Sequence, residues 1–339
     1  MTDLSWMTLL YDFVYKVTFN LTVAILAPFK QTSELYWVFL LSTIMIAWTF
    51  WRYSALGAGF KGVSSLGEFR RRFLSRDTWW HPSARLDYRF YLVNAIVVPV
   101  VMGPIWINDV NVSAWLASLF GAGQSAAVHP ALHITVRVLY TLLFFIVYDF
   151  GRFVAHSLLH DVQWLWEFHK VHHSAEVLTP VTTFRFHPID LAVMSWVPAL
   201  LTGFLTWGFH RFVDSGIGAF MFLGLHVMIW AFNLIDNLRH SHVWVSYGDT
   251  LNRWLISPAH HQLHHSLEER HWGCNRGSDI ALWDRLYGTL IVPSKEPEQF
   301  RMGLTGEPEG SWTTMADLYV RPFGNLLRRL RRTKPALKA

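Results

Sequence analysis

The sequence predicts an all-α, polytopic integral membrane protein. It should have about 5–6 transmembrane or membrane-embedded helices and a cytosolic, histidine-rich helical cap. Three observations predict this. Hydrophobic residues make up 52% of the 339 residues, charged residues only 16%, and the mean hydropathy is positive. A soluble domain usually carries about 25% charged residues. The 18 tryptophans and 25 phenylalanines suit bilayer interfaces. Histidines gather at the ends of apolar runs.

A helix needs about 20 mostly apolar residues to cross the hydrocarbon. Trp6–Phe29 can span or lie in the interface, because Asp12 and Lys16 can pair one helical turn apart. Leu35–Tyr53 reads as a span. Tyr91–Trp106 is short but has aromatic flanks. Leu132–Val147 continues helically toward Asp149 and the first histidines. Leu191–Phe209 and Ile217–Ile235 read as a pair joined by a short loop containing Asp214 and Gly216. Leu238–Val292 is amphipathic, rich in Trp and His, and reads as a cap on the span ends. The arginine-rich end from Arg321 is expected to be an interfacial helix or a disordered basic tail. The expected organisation is N-terminal membrane helices over 1–130, a catalytic domain over 131–295, and a basic tail over 296–339.

Sidedness follows from basic residues. Lys61–Arg89, with Arg70, Arg71, Arg72 and Arg76, is expected to be a cytoplasmic loop. An even number of crossings then separates the two histidine-rich regions, so both can meet at one membrane face. The net charge of +5 is explained by topology and anionic lipid, and nucleic-acid binding is not expected. The first 30 residues lack a basic leader and an A-x-A-type cleavage site, so no cleavable signal peptide is expected. The single cysteine, Cys274, excludes an intramolecular disulfide framework, and nothing marks it as a nucleophile.

The chemistry lies in the histidines. His156 and His160 are i,i+4 neighbours and share one helical face. His169, His172 and His173 are spaced i,i+3,i+4, and His261, His264 and His265 repeat that spacing, with His260 beside them. Nine of the 18 histidines fall in the windows 156–173 and 260–265. His240 and His242 sit in "LRHSHVW", and His187 in "RFHPID". Isolated histidines such as His81, His129, His133, His210, His226 and His271 read as hydrogen-bonded structural residues. The clusters do not, because converging imidazoles are costly to desolvate when charged and crowd one another when unpaired. A metal ion resolves this by taking up neutral imidazole lone pairs. Eight or more ligands exceed one tetrahedral zinc and suit two ions of higher coordination number. An all-histidine set accommodates Fe, Cu, Zn or Ni.

The boxes H-x3-H at 156–160, H-x2-H-H at 169–173 and H-x2-H-H at 261–265 resemble those of the sterol desaturase/fatty acid hydroxylase superfamily. "LWEFHKVHHS", "RFHPID", "ISPAHHQLHHS" and "ALWDRLYGTL" resemble it too, over roughly Tyr148–Val292. The N-terminal 130 residues carry no matching motif. The resemblance implies a membrane-bound non-haem di-iron oxygenase that uses O2 and two external electrons to hydroxylate a lipid C–H bond. A desaturase or an ether-lipid monooxygenase would use the same site. His156, His160, His169, His172, His173, His261, His264 and His265 carry over as ligands of two Fe ions. His240 or His242 stands where the family often adds one more histidine, and His187 is expected to support the site or the fold. Glu167, Asp190, Asn275, Asp279 and Asp284 are candidate partners that orient the imidazoles.

"GAGFKG" at Gly57–Gly62 matches a dinucleotide fingerprint but lacks the strand and helix that such a motif needs. It reads as a flexible exit from the membrane before a helix capped by Ser65 and Glu68. With no redox module visible, electrons are expected from a separate protein, a ferredoxin or a cytochrome b5-type donor with its reductase. Cytoplasmic Arg and Lys could dock an acidic donor. A zinc-dependent hydrolase fits less well, because H-E-x-x-H is missing and too many histidines stay unexplained. A metal transporter would place histidines inside the spans rather than at one face. Without a eukaryotic retention signal, a bacterial inner membrane is expected over the endoplasmic reticulum, with the site on the cytoplasmic side.

Overall fold

The computed structural model describes residues 4–54, 63, 65–123, 127–213, 216–308 and 310–332. The glycine-rich stretch Gly57–Gly62, Asp214 and the last residues of the basic tail lie outside the described residues. Among the described residues, the regular structure is helical apart from one short hairpin.

Helices α1 (Leu4–Ile25) and α2 (Trp37–Ser54) lead into α3 (Leu66–Phe73). The Ser65 side chain accepts from the Glu68 amide, which caps α3. Trp51, Phe69 and Phe73 pack with Leu238, Val243 and Val245, so this N-terminal part braces the turn that carries His240. A single turn, α4 (Arg76–Trp79), precedes α5 (Pro82–Val101). Gly103 and Pro104 end α5, and α6 (Asp109–Phe120) resumes after a bend of 51°. The expected span at Tyr91–Trp106 is therefore one arm of a bent pair rather than a straight crossing.

Helix α7 (His133–Asp161) has 29 residues. At about 1.5 Å per residue it is longer than a hydrocarbon core of about 30 Å. Its last turns, which bear His156 and His160, can therefore emerge from the bilayer while the helix stays intact. The chain turns at Val162 into α8 (Gln163–His173), then runs through "RFHPID" into α9 (Pro188–His210). Two glycines let these helices approach closely. A Cβ on Gly151 would lie 2.7 Å from the Cα of Pro198, joining α7 to α9, and one on Gly203 would lie 2.5 Å from Val112 of α6.

The return from α9 corrects one expectation. Ile217–Ile235 is not a continuous helix. Met221–Phe222 (β1) and Leu225–His226 (β2) form an antiparallel hairpin, followed by the ten-residue α10 (Val227–Asp236). Leu223 and Gly224 take positive φ of 48° and 81°, which a right-handed helix cannot contain. Ten helical residues reach only about 15 Å. Among the described residues, two helices are long and apolar enough to cross a membrane, at Pro130–Asp161 and Pro188–His210. The bent pair makes a third if it forms one span.

Beyond α10 come α11 (Gly248–Leu251), α12 (Pro258–His264), α13 (Leu282–Tyr287) and α14 (Met315–Arg332). The arginine-rich end is thus helical through Arg332. Arg185 ties several layers together. Fully buried, it pairs with Asp87 of α5 at 2.7 Å, donates to the Val171 carbonyl and the Ser174 hydroxyl at the end of α8, and donates to the Trp312 carbonyl ahead of α14.

Candidate metal centre

Four chain segments bring nine histidines together at one end of the α7–α9 frame. They form two adjoining groups. His156 and His160 from α7, His169 and His173 from α8, and His264 from α12 make the first. His172 from α8, His240 from the turn after α10, His261 from α12 and His265 just beyond it make the second. Within each group the candidate ligand atoms lie within 4.8 Å of one another. All but His160 are buried.

The two H-x2-H-H boxes are used crosswise. In each, the i,i+4 pair serves one group and the i+3 histidine serves the other. His169 and His173 face the first group and His172 the second; His261 and His265 face the second and His264 the first. One helical turn separates residues at i and i+4, so their rings lie on one side, and the i+3 ring projects to the flank.

Hydrogen bonds fix which nitrogen of several rings carries the proton. His156 donates from Nδ1 to the Arg276 carbonyl at 2.8 Å, His264 from Nδ1 to the Cys274 carbonyl at 2.6 Å, and His169 from Nδ1 to the Asp190 carboxylate at 2.9 Å. With Nδ1 donating, Nε2 of each ring is the atom left to bind a metal when the ring is neutral. Yet the Nε2 atoms of His156 and His169 lie 3.1 Å apart. When both rings are neutral, two lone pairs face each other there, an arrangement that is repulsive unless a cation sits against both. Two nitrogens at the usual imidazole–metal distance of about 2.1 Å from one ion, at right angles, are about 3 Å apart. The pairs His160–His264 at 3.2 Å, His172–His240 at 3.3 Å, His240–His261 at 2.9 Å and His261–His265 at 3.2 Å have the same spacing. The buried Nε2 of His173 has no protein partner. The residues present therefore fit metal ions in both groups.

The electrostatics agree. Burial, reinforced by neighbouring imidazoles, holds His172, His173, His261 and His265 well below the usual histidine range. Burial pushes His240 and His264 down to about 3, with the Arg239 guanidinium adding to the effect at His240. The rings are neutral at pH 7 and ready to bind a metal.

His242 lies apart from both groups. Its ring sits 5.8 Å from those of Trp51 and Phe73, where burial lowers it to about 4. His187 caps α9 by accepting from the Ile189 amide through Nδ1, and its Nε2 faces the Tyr319 carbonyl at 3.4 Å. Of the five polar residues singled out from the sequence, only Asp190 is hydrogen-bonded to one of the clustered imidazoles. Glu167 bonds Lys170, Asn325 and Arg329. Asp279 pairs with Arg239. Asp284 accepts from the amides of Arg276 and Gly277 at 2.7 Å each. Asn275 has a positive φ of 51°, and its side chain bonds His260 and Ile291 backbone atoms. That turn aims the carbonyls on either side of Asn275, those of Cys274 and Arg276, at His264 and His156. Sequence reading missed these carbonyls because every residue has one. It also missed Asp149, which is fully buried and accepts from the Asp279 and Ile280 amides and from the Trp283 indole, anchoring α7 to the same loop. Cys274 is buried and its thiol is pushed up to about 12, so it is inert as a nucleophile.

A cavity of about 470 Å³ opens onto the first group. His160, His173 and His264 line it, together with Trp166, Lys170, Leu267, Trp272, Arg276 and Leu304. No histidine of the second group lines it.

Residues 141–289 match the fatty acid hydroxylase family model. Over 165 residues the chain is 30% identical to an ornithine lipid hydroxylase of Rhizobium tropici, covering 48% of this chain and 44% of that protein. It is 31% identical over 159 residues to a Delta(7)-sterol 5(6)-desaturase of Gibberella zeae, covering 46% and 43%. It is 27% identical over 156 residues to an alkylglycerol monooxygenase of Xenopus tropicalis, covering 45% and 31%. The chain thus spans less than half the length of each of these relatives. No solved structure matches it. Residues 141–289 thus form a fatty acid hydroxylase domain, similar to those of lipid hydroxylases, desaturases and monooxygenases of the sterol desaturase/fatty acid hydroxylase superfamily.

Proposed function

We propose that the chain is a membrane-bound non-haem di-iron oxygenase that uses O2 to hydroxylate an unactivated C–H bond of a lipid, whether a fatty acyl chain, a sterol or a related molecule. The observation that carries this reading is the convergence of five imidazoles in one group beside a group of four, with the Nε2 atoms of His156 and His169 3.1 Å apart. His156, His160, His169, His173 and His264 hold one iron. His172, His240, His261 and His265 hold the other. Nine imidazoles exceed what one tetrahedral zinc accepts, and a nitrogen-only set without thiolate suits iron.

When bound, the metals supply the O2 activation that no side-chain acid or base could replace, because an alkyl C–H is not acidic enough for proton abstraction. The chain's own residues orient the reaction. Asp190 and the carbonyls of Arg276 and Cys274 each accept an Nδ1 proton and so aim three rings. The cavity beside His160, His173 and His264 admits the lipid carbon, with Trp166, Trp272, Leu267 and Leu304 as its apolar walls and Lys170 and Arg276 beside them. Electrons come from a separate redox protein, a ferredoxin or cytochrome b5-type donor with its reductase. The site faces the cytoplasm, and the bacterial source of one relative favours a bacterial inner membrane.

The same site serves a lipid desaturase or an ether-lipid monooxygenase, and the relatives include one of each. Lipid extracts decide among them. Membranes containing the chain are incubated with isotopically labelled O2 and compared with membranes containing His173→Ala. One labelled oxygen added to a lipid is the expected result. Loss of two hydrogens identifies a desaturase, and loss of an alkyl chain identifies an ether-lipid monooxygenase. No lipid change with iron-loaded protein and a working donor overturns the reading.

A further inference from the structure

Helix α14 has three distinct faces. Leu318, Pro322 and Asn325 are buried against the rest of the protein. At about 100° per residue, Val320, Phe323, Leu327 and Leu330 form a second stripe, and these four side chains are 45–64% exposed. Arg321, Arg328 and Arg331 fall on the third face, beside that stripe. An apolar stripe flanked by arginines has the form of a helix lying in a bilayer interface, with the stripe in the acyl boundary and the arginines among headgroups.

The position of α14 supports this occupant. Tyr319 packs its ring against Phe90 with centroids 4.9 Å apart and donates to the Asn94 side chain at 2.6 Å. It therefore crosses α5 where that helix exposes Leu92 and Val93 on its other side. The contact lies at the start of the apolar stretch from Tyr91, where a bilayer interface would run.

The buried face reaches the metal centre. Glu167, fully buried on α8 two residues before His169, receives Asn325 at 2.8 Å and Arg329 at 2.6 Å from α14, and Lys170 at 3.0 Å from its own helix. From the apolar stripe, the half-exposed Phe323 also sets its ring edge-on against Phe168, 5.1 Å away. Whatever holds α14 therefore also holds α8.

We propose that α14 is a docking surface for an anionic bilayer, and that the Glu167 contacts transmit this docking to α8. The inference requires neither bound metal nor turnover. It is tested on the full chain in lipid nanodiscs of phosphatidylcholine alone, or with about 30% phosphatidylglycerol. Cys274 is buried, so Leu327→Cys offers the accessible thiol for an environment-sensitive fluorophore. Nitroxides attached high on the acyl chains should quench this label about twofold more strongly in the anionic discs, and Arg328→Glu with Arg331→Glu should remove the difference. Hydrogen exchange of the amides in 163–173 should slow in the anionic discs. Glu167→Gln should abolish that slowing while leaving the quenching intact.

Quenching that ignores lipid charge overturns the docking surface. So does a label that responds to the number of protein copies per disc rather than to lipid, which would assign the stripe to a second copy. Anionic slowing of exchange that persists in Glu167→Gln overturns the transmission.

Discussion

His169 donates from Nδ1 to the Asp190 carboxylate across 2.9 Å, and both residues are fully buried. The bond joins the helix that supplies three of the clustered histidines to the first turn of the adjoining apolar helix. It fixes the ring so that Nε2 faces the centre. Asp190→Ala should lower metal affinity about 10–100-fold, the usual cost of losing such a partner. Asp190→Asn keeps an acceptor oxygen and should cost less. Competition with a chelator, followed by metal content per chain, measures both.

His240 and His242 are two residues apart and meet different fates. His240 Nε2 is 2.9 Å from that of His261, whereas His242 rests on aromatic rings. His240→Ala should leave the four-histidine group with three members and bring metal content from about two ions toward one. His242→Ala should retain both ions. Equal metal loss in the two variants would contradict this division.

Arg185→Met removes the buried partner of Asp87 and should destabilise the protein by about 3–5 kcal/mol, because an uncompensated buried charge remains. Replacing both residues, with Asp87→Leu added, should cost less than the single change. Thermal unfolding in one detergent compares the three proteins. A double variant less stable than Arg185→Met would show that the hydrogen bonds of Arg185 to Val171 and Ser174 outweigh the charge pair.

Burial pushes His187 down to about 4. Its neutral Nδ1 accepts the Ile189 amide, so protonation breaks the cap on α9. An unfolded chain titrates this ring near pH 6.5. Below that pH the unfolded state takes up a proton that the folded state refuses. His187 therefore costs no stability above about 6.5 and loses about 1.4 kcal/mol per pH unit as pH falls toward 4. His187→Asn can cap without titrating, so it should make the acid limb shallower by about 2–3 kcal/mol in total. Unfolding free energy measured from pH 7 to 4 tests this. An acid limb as steep in the variant as in the parent would show that His187 does not titrate this way.

The histidine boxes were legible because i,i+3,i+4 spacing puts rings on neighbouring helical faces in any fold. Their crosswise use was not, since it depends on how α8 and α12 oppose each other. The spacing of His240 and His242 also left their roles open, because a tight turn sends alternate side chains in different directions. The acceptors at Arg276 and Cys274 are backbone carbonyls, aimed by the positive φ of Asn275, and residue types do not report them. Ile217–Ile235 misled for a related reason. Its apolar composition suits a helix or a hairpin equally, and the turn at Leu223–Gly224 decides between them. "RFHPID" proved more informative than the roles expected of His187 and Asp190, because Arg185 acts too. Arg185 braces α8, His187 caps α9, and Asp190 orients His169.

The central claim is that nine imidazoles hold two irons. Elemental analysis of the full chain, purified from cells without chelator, tests it most directly. About two irons per chain are predicted from the groups of five and four. Zinc alone, or a single ion per chain in protein that turns over, would contradict the account.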